Sequence, residues 1–318
     1  MKVLWLSLET DRTEFREFVE RLGASVQLAE KWLTLKDAKH FSKAIGAEEL
    51  KAFDRVLVHL PIKLLLKQTP YLRCIPNLLL LQRDLVCIAT TEPATLEKYF
   101  KALAIMPWVR VLLPYSQVAQ QLTQAGIDNQ QIPLGISPGE YCDLGLSRSH
   151  SAAILADLDD PALKARKQLL LNIKTQNKLQ IFEPEKGNAL QEQLNNQLIA
   201  VTCEQGCSSY RALNFQAMAC GCLLLTWDRG SEETNALGFK DMNNVMLYRD
   251  ERSAQAKLNF LKRHPDQLEA IRDQGKALVE TRHSMIAMAA SVVENLAQSL
   301  IPFTGDDIED ALRFRFFR

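Results

Sequence analysis

Residues Cys203–Asp228 read CEQGCSSYRALNFQAMACGCLLLTWD, and this stretch decides the fold. The segment Ile199–Cys203, which leads into it, is short and apolar, the pattern of a strand buried on both faces. Glu204, Gln205, Gly206 and Cys207 then make a tight polar loop, and Ser208 or Ser209 is suited to cap a following helix. That helix is predicted over Ser208–Ala219, with Gly221 as its stop. The apolar run Cys222–Trp227 is the next strand. Strand, loop, helix and strand together make one βαβ unit. Its loop falls at the C-terminal edge of a parallel strand, where open α/β sheets bind ligands. A helix starting there turns free N–H groups and a positive dipole end toward an anion such as a diphosphate. Trp227-Asp228-Arg229-Gly230-Ser231 forms a second polar loop on the same edge.

The same alternation runs outward in both directions. Toward the N-terminus, Val3–Leu8, Ser25–Leu28, Arg55–Leu60, Leu85–Ala89 and Val109–Pro114 read as strands. Glu14–Leu22, Thr95–Ala104 and Ser116–Ala125 read as helices, the last stopped by Gly126. Ile132–Gly145 has two prolines and three glycines and no period, so it reads as a linker, continued by the polar stretch Ser147–Ser151. Beyond it the alternation resumes: strands at Ala152–Leu155, Leu179–Phe182 and Asn244–Tyr248, helices at Pro161–Gln176, Ala189–Gln197, Glu251–His264, Leu268–Ser284 and Ala287–Leu300. Alternating strands and helices imply doubly wound parallel sheets. The tail Asp306–Arg318 reads as a last amphipathic helix.

Composition narrows the function. The chain has 318 residues, 47% of them hydrophobic and 24% charged, enough for two globular domains. Its 38 basic and 38 acidic residues cancel, which argues against a strongly basic nucleic-acid binder. The apolar start of MKVLWLSLETDR is too short for a signal peptide, and no apolar run reaches the ~20 residues of a membrane span. A cytoplasmic protein with reduced thiols at its seven cysteines is expected. The spacings among Cys203, Cys207, Cys220 and Cys222 match no zinc pattern, so core thiols are expected and no metal. No phosphate-loop, dinucleotide-binding or nucleophile-elbow motif is present.

The segment Phe215-Gln216-Ala217-Met218-Ala219-Cys220-Gly221, followed by its apolar strand, resembles the donor-binding half of GT-B glycosyltransferases of the family 1/4-like group. The pattern Asn243-Asn244-Val245…Tyr248, Leu258…Leu261, His264-Pro265 and Ile271…Gly275 is similar to the CgeB-like branch. Ile132-Pro133-Leu134-Gly135-Ile136 resembles the interdomain passage of these enzymes. The resemblance implies two Rossmann-like domains facing across a cleft, with a C-terminal helix crossing back. The corresponding division is an acceptor-side domain over 1–145, a nucleotide-sugar domain over 146–300, and a returning helix over 301–318. It implies a sugar transferase that uses a nucleotide-diphosphate sugar as substrate and needs no cofactor. Retaining members carry two glutamates eight positions apart; here those positions hold Ser208 and Gln216.

On that reading the donor would be held by Gly206, Cys207, Ser208, Ser209, Tyr210, Arg211 and Gln216. Arg166 stands where the family often places a phosphate-binding base, and Lys164 and Lys167 flank it. Glu9 and Glu92 follow predicted strands and His59 lies near the end of one; these three are the candidate bases for the acceptor hydroxyl. The partners expected are a nucleotide sugar and an unidentified glycan, lipid or protein acceptor. The arginines and phenylalanines of the tail could instead serve a membrane surface or a protein partner. Two other classes stay open: a nucleotide-sugar epimerase, and a non-catalytic binding or assembly relative that has lost both glutamates.

Overall fold

The computed structural model describes residues 1–148, 151–158, 164–185, 187–207 and 209–305. These residues divide into two units, one formed by Met1–Leu134 with Met285–Arg318 and the other by Gly135–Ser284.

In the first unit, strands β1 (Lys2–Leu8), β2 (Gln27–Leu33), β3 (Arg55–Val58), β4 (Leu78–Leu81), β5 (Arg110–Leu113) and β6 (Asn129–Gln131) form one parallel sheet in the order β2-β1-β3-β4-β5-β6. Leu4 pairs with Val56, and Leu57 with Leu79. The central strands are mostly apolar because helices cover both faces of a parallel sheet; all four leucines of β4 are buried. On one face Trp5, Leu57 and Leu79 pack against Phe15, Phe18 and Leu22 of the helix region following β1. The helix Met285–Ala297 adds Met285, Met288, Ala289, Val292 and Leu296 to the same cluster. Each such large side chain contributes roughly 1.5–3 kcal/mol by leaving water.

The second unit carries β7 (Ala153–Leu155), β8 (Gln180–Phe182), β9 (Ile199–Val201), β10 (Leu223–Trp227) and β11 (Met246–Tyr248), parallel and ordered β11-β10-β9-β7-β8. The order reverses between β7 and β9, which opens a crevice at their C-terminal ends, the usual ligand position in such sheets. Ile154, Val201, Leu223 and Leu225 meet Leu170, Ile173, Leu258 and Leu261 of the helices Lys164–Asn177 and Glu251–Arg263.

The structure departs from the sequence reading at several places. Leu85–Ala89 is not a strand but part of the helix Leu85–Thr91. Leu78–Leu81, just upstream, takes the place in the sheet, since a short apolar run fits either state until pairing decides. The units also divide at 134/135 and 284/285, where the sequence suggested 145/146 and 300/301. From Gly135 on, the stretch read as linker is bound into the second unit. Ile136 N donates to His283 O at 2.7 Å, Leu144 N donates to Asn195 Oδ1 at 2.8 Å, and Arg148 donates to the carbonyls of Gln197 and Cys220 at 2.6 and 2.8 Å. The return to the first unit is made by Met285–Ala297, earlier than the tail helix expected over Asp306–Arg318, which lies outside the described residues. Phe303 continues along the first unit and meets the Trp108 ring edge-on at 4.7 Å.

Candidate functional site

The loop from β9 to the helix Ala212–Ala219 is buried for most of its length. Thr202, Glu204 and Ser209 are fully enclosed, and Cys203, Cys207 and Tyr210 nearly so. Polar groups in such a place need partners, and the sequence supplies them. Thr202 Oγ1 joins Asn214 Oδ1 at 2.6 Å and Thr226 Oγ1 at 2.8 Å. Glu204 accepts from Asn214 Nδ2 at 2.8 Å, from Arg211 Nε at 3.1 Å and from Arg166 Nη1 at 3.4 Å. Arg166 Nη1 also donates to Cys203 O at 2.7 Å and lies 2.8 Å from Cys207 Sγ. Arg229 reaches over from the end of β10 and donates to the carbonyls of Glu204, at 3.1 Å, and Cys207. Tyr210 OH donates to Trp227 O at 2.8 Å, so the two polar loops are tied together.

Arg166 is the electrostatic centre of this edge. It is 0% exposed, yet among the described residues its Nε and Nη2 have no hydrogen-bond partner. Buried orphan donors are expensive, more so on a cation. Glu204 pairs with Arg166 and Arg211, and a second buried carboxylate, Glu233, reaches the loop through Ser209. Burial pushes the Cys207 thiol up to about 11, with Glu204 adding to the effect and Arg166 opposing it. Cys203, Cys220 and Cys222 are likewise pushed up by burial, Cys222 to about 12. These thiols stay protonated and act as packing groups. Among the described residues no three His, Cys, Asp or Glu side chains converge to hold a metal, and the six cysteines described form no disulfide.

The donor-side residues expected from sequence are thus largely gathered here, with one change in how they act. The helix starts at Ala212, with Arg211 at its cap, four residues later than expected. Ser209 is no N-cap: it is buried and its hydroxyl bonds to Glu233. Ser208 lies outside the described residues. Gly206 sits at φ +79°, a conformation that suits glycine in a tight turn. Gln216 is partly exposed on the helix. Lys164 begins the helix that carries Arg166. Glu204 was not singled out by sequence. Its contacts come from Arg166, 38 residues away, and no local spacing marks that pairing.

In the first unit, β3 ends at Val58, so His59, expected inside a strand near its end, stands just after it, with 15% of its side chain exposed. Its ring stacks parallel to Trp5 and lies 4.7 Å from Phe15. Nδ1 is 2.9 Å from Leu81 O. A carbonyl can only accept, so Nδ1 carries the proton and Nε2 presents its lone pair. Nε2 lies 3.9 Å from Asp11 Oδ2, which accepts from Ser7 Oγ at 3.0 Å. Burial holds the His59 pKa below the usual imidazole value, and the Leu81 carbonyl works against it. Asp84, beside it, is pushed up by burial, opposed by His59. Glu9 occupies an exposed turn, Glu9–Asp11, directly after β1. Glu92 does not follow a strand. It stands between two helices, bonded to Lys63 at 2.8 Å and Thr95 at 3.0 Å, and these bonds lower its pKa. Asp11 and Asp84 are the acidic residues that sequence reasoning missed beside His59.

Residues 172–294 match the profile of a family described as glycosyl transferase-like. No curated protein matches the chain in sequence. Among solved structures, the chain is similar to HepE of Anabaena, solved in complex with UDP-glucose: TM-score 0.62 and 12% identity, over 93% of this chain and 99% of that one. It is similar to sucrose-phosphate synthase of Thermosynechococcus elongatus: TM-score 0.59 and 11% identity, over 93% and 98%. It is also similar to a UDP-N-acetylglucosamine 2-epimerase, with TM-score 0.54 and 12% identity, over 93% and 95%. The fold is GT-B. In GT-B terms the stretch from Cys203 to Asp228 lies inside the matched glycosyl transferase-like region, and β1–β6 lie outside it.

Proposed function

We propose that this chain moves a sugar from a nucleotide-diphosphate donor to an acceptor hydroxyl, with the donor diphosphate taken by the loop Cys203–Arg211. The observation that carries the reading is Arg166: a fully buried guanidinium whose Nε and Nη2 have no partner among the described residues, directly against the carbonyl of Cys203 in the loop. Such a group stabilises the charge that builds on a departing diphosphate. Arg211, with a quarter of its side chain exposed, is within reach of a ligand from solvent. The glycosyl transferase-like profile over residues 172–294 supports the same reading. So do the UDP-glucose and UDP complexes of the similar HepE protein. The pattern from Asn243 to Gly275 is our reason for placing the chain near the CgeB-like branch.

In the first unit, His59 is the base we assign to the acceptor hydroxyl. Nε2 accepts the hydroxyl proton, the oxygen bonds to the anomeric carbon, and the bond from that carbon to the diphosphate oxygen breaks. A histidine held neutral near pH 7 is suited to this, and Asp11 stabilises the imidazolium that results. Glu9 and Glu92 are weaker choices, being an exposed turn residue and a carboxylate already bonded to Lys63.

A second reading, a non-catalytic binder, is favoured by Ser208 and Gln216 in place of the two glutamates. The test is thermal stabilisation by UDP, GDP and ADP at millimolar concentration, then turnover of the matching nucleotide sugar. One diphosphate should raise the melting temperature, as expected for a ligand that binds only the folded state. Arg211→Ala should abolish the shift. No shift with any of the three would sink the donor site; a shift without turnover in the presence of acceptors would leave the binder.

A further inference from the structure

We propose that the first unit carries a saccharide-binding groove between the edge strand β2 and the start of the helix Arg16–Gly23, with Trp32 as its platform. This rests on the reading of the chain as a sugar transferase and assigns its acceptor class. The groove has a volume of about 400 Å³ and is lined by Arg12, Arg16, Val19, Glu20, Glu30 and Trp32. That size is within the range of small-molecule sites.

Trp32 is anchored rather than loose. Its ring packs edge-on against Trp5 at 6.3 Å, and its Nε1 donates to Glu30 Oε2 at 2.9 Å. The Arg12 guanidinium lies 5.9 Å from the ring centre. β2 pairs only with β1 in its sheet, so the tryptophan sits on an edge that a ligand approaches from the side. An indole held by a hydrogen bond and a packed neighbour loses little entropy when a ligand stacks on it.

Charge decides the ligand class. Arg12 and Arg16 face Glu20 and Glu30, so the four charges cancel. A phosphate or polyanion would meet two carboxylates. An alkyl chain would desolvate four ionic groups and offer them no hydrogen bond. A neutral sugar satisfies both demands: its C–H face lies on the indole, and its hydroxyls donate to the carboxylates and accept from the guanidiniums. The groove and the candidate base are linked through Trp5, whose ring meets both Trp32 and His59. The turn after β1 places Asp11 at 3.9 Å from His59 Nε2, and the next residue, Arg12, reaches over Trp32.

The test is calorimetric titration of the full-length protein with D-glucose, N-acetyl-D-glucosamine and maltose, with decanoate and inorganic phosphate as probes of other chemistry. At least one sugar should bind saturably in the millimolar range. Trp32→Ala should weaken that binding by about tenfold or more, and so should Arg12→Ala, an exposed position whose loss leaves the core intact. The UDP-induced thermal shift should be unchanged in both. The proposal is overturned if none of the three sugars saturates, if sugar binding survives both substitutions, or if only decanoate or phosphate binds in a Trp32-dependent way. Sugar binding without any nucleotide effect would instead sink the donor reading and leave the groove standing.

Discussion

At the scale of single residues, the donor edge depends on Glu204. It is completely buried and holds Arg166, Arg211 and Asn214 in place. Removing one partner of a buried ion pair costs about 3–5 kcal/mol, because the remaining charge is left without compensation. Glu204→Ala should therefore lower the unfolding free energy from urea denaturation by an amount in that range, with Glu204→Gln losing less; a change below about 1 kcal/mol would show the pairing to be incidental. His283 gives a pH prediction. Burial lowers its pKa to about 4, while Leu237 O, 2.9 Å from Nε2, works against the shift. The unfolded imidazole titrates near 6.5, so between the two values the unfolded state binds the extra proton. The stabilisation is complete above about pH 6.5 and is lost as pH falls toward 4, about 3 kcal/mol in all. Equilibrium unfolding at pH 7.5 and pH 5 should show this loss, and His283→Gln should remove that part of it. An identical pH dependence in the variant would exclude His283 as the source.

At the scale of elements, the join between the helix Ala212–Ala219 and β10 is the tightest point of the site. Gly221 has φ +74°, and a Cβ there would lie 2.7 Å from Arg148 Nη2 and closer still to Asp143 Oδ2. The backbone conformation alone costs a side chain roughly 1–2 kcal/mol, and the Asp143–Arg148 pair, 3.0 Å apart, would have to separate. Gly221→Ala should thus destabilise by at least about 2 kcal/mol, read as a fall in melting temperature. A neutral result would mean that the 143–148 segment moves aside freely. Sequence located this element well. Gly221 as a stop and the apolar run after it are local signals. The helix start was misplaced because two serines before a helical run look like caps, whereas Ser209 turns inward to Glu233, 24 residues away. Leu85–Thr91 was misread for a similar reason: five apolar residues carry no period long enough to separate strand from helix.

At the scale of the whole molecule, the C-terminal segment belongs to the unit where the chain begins. Arg110, 6% exposed, pairs with Asp128 at 3.0 Å and donates to the carbonyls of Asn295 and Ser299 at 3.3 and 3.0 Å. A guanidinium at the end of the helix Met285–Ala297 satisfies its last carbonyls and complements its dipole. Ending the chain at Ser284 would bare the Trp5, Phe15 and Phe18 cluster and leave Arg110 without its carbonyl partners. The truncated protein should lose cooperative unfolding of the first unit, seen as exposed apolar surface in dye binding and loss of amide protection on β1–β5. A truncated chain that unfolds like the intact one would show that the helix Met285–Ala297 adds no stability to the first unit.

Residues close in sequence determined much on their own: alternating strands and helices, the βαβ unit around Cys203–Asp228, and the polar loop at a strand end. Periodicity, caps and stops act over a few residues, so they can be read without coordinates. Tertiary structure alone decided which apolar runs entered the sheets and where the chain passes between units. It also decided which charges meet: Glu204 with Arg166, His59 with Asp11, and Arg12 over Trp32. Those pairings join different elements. Their energy depends on burial and distance, and neither is a property of a residue's neighbours in sequence.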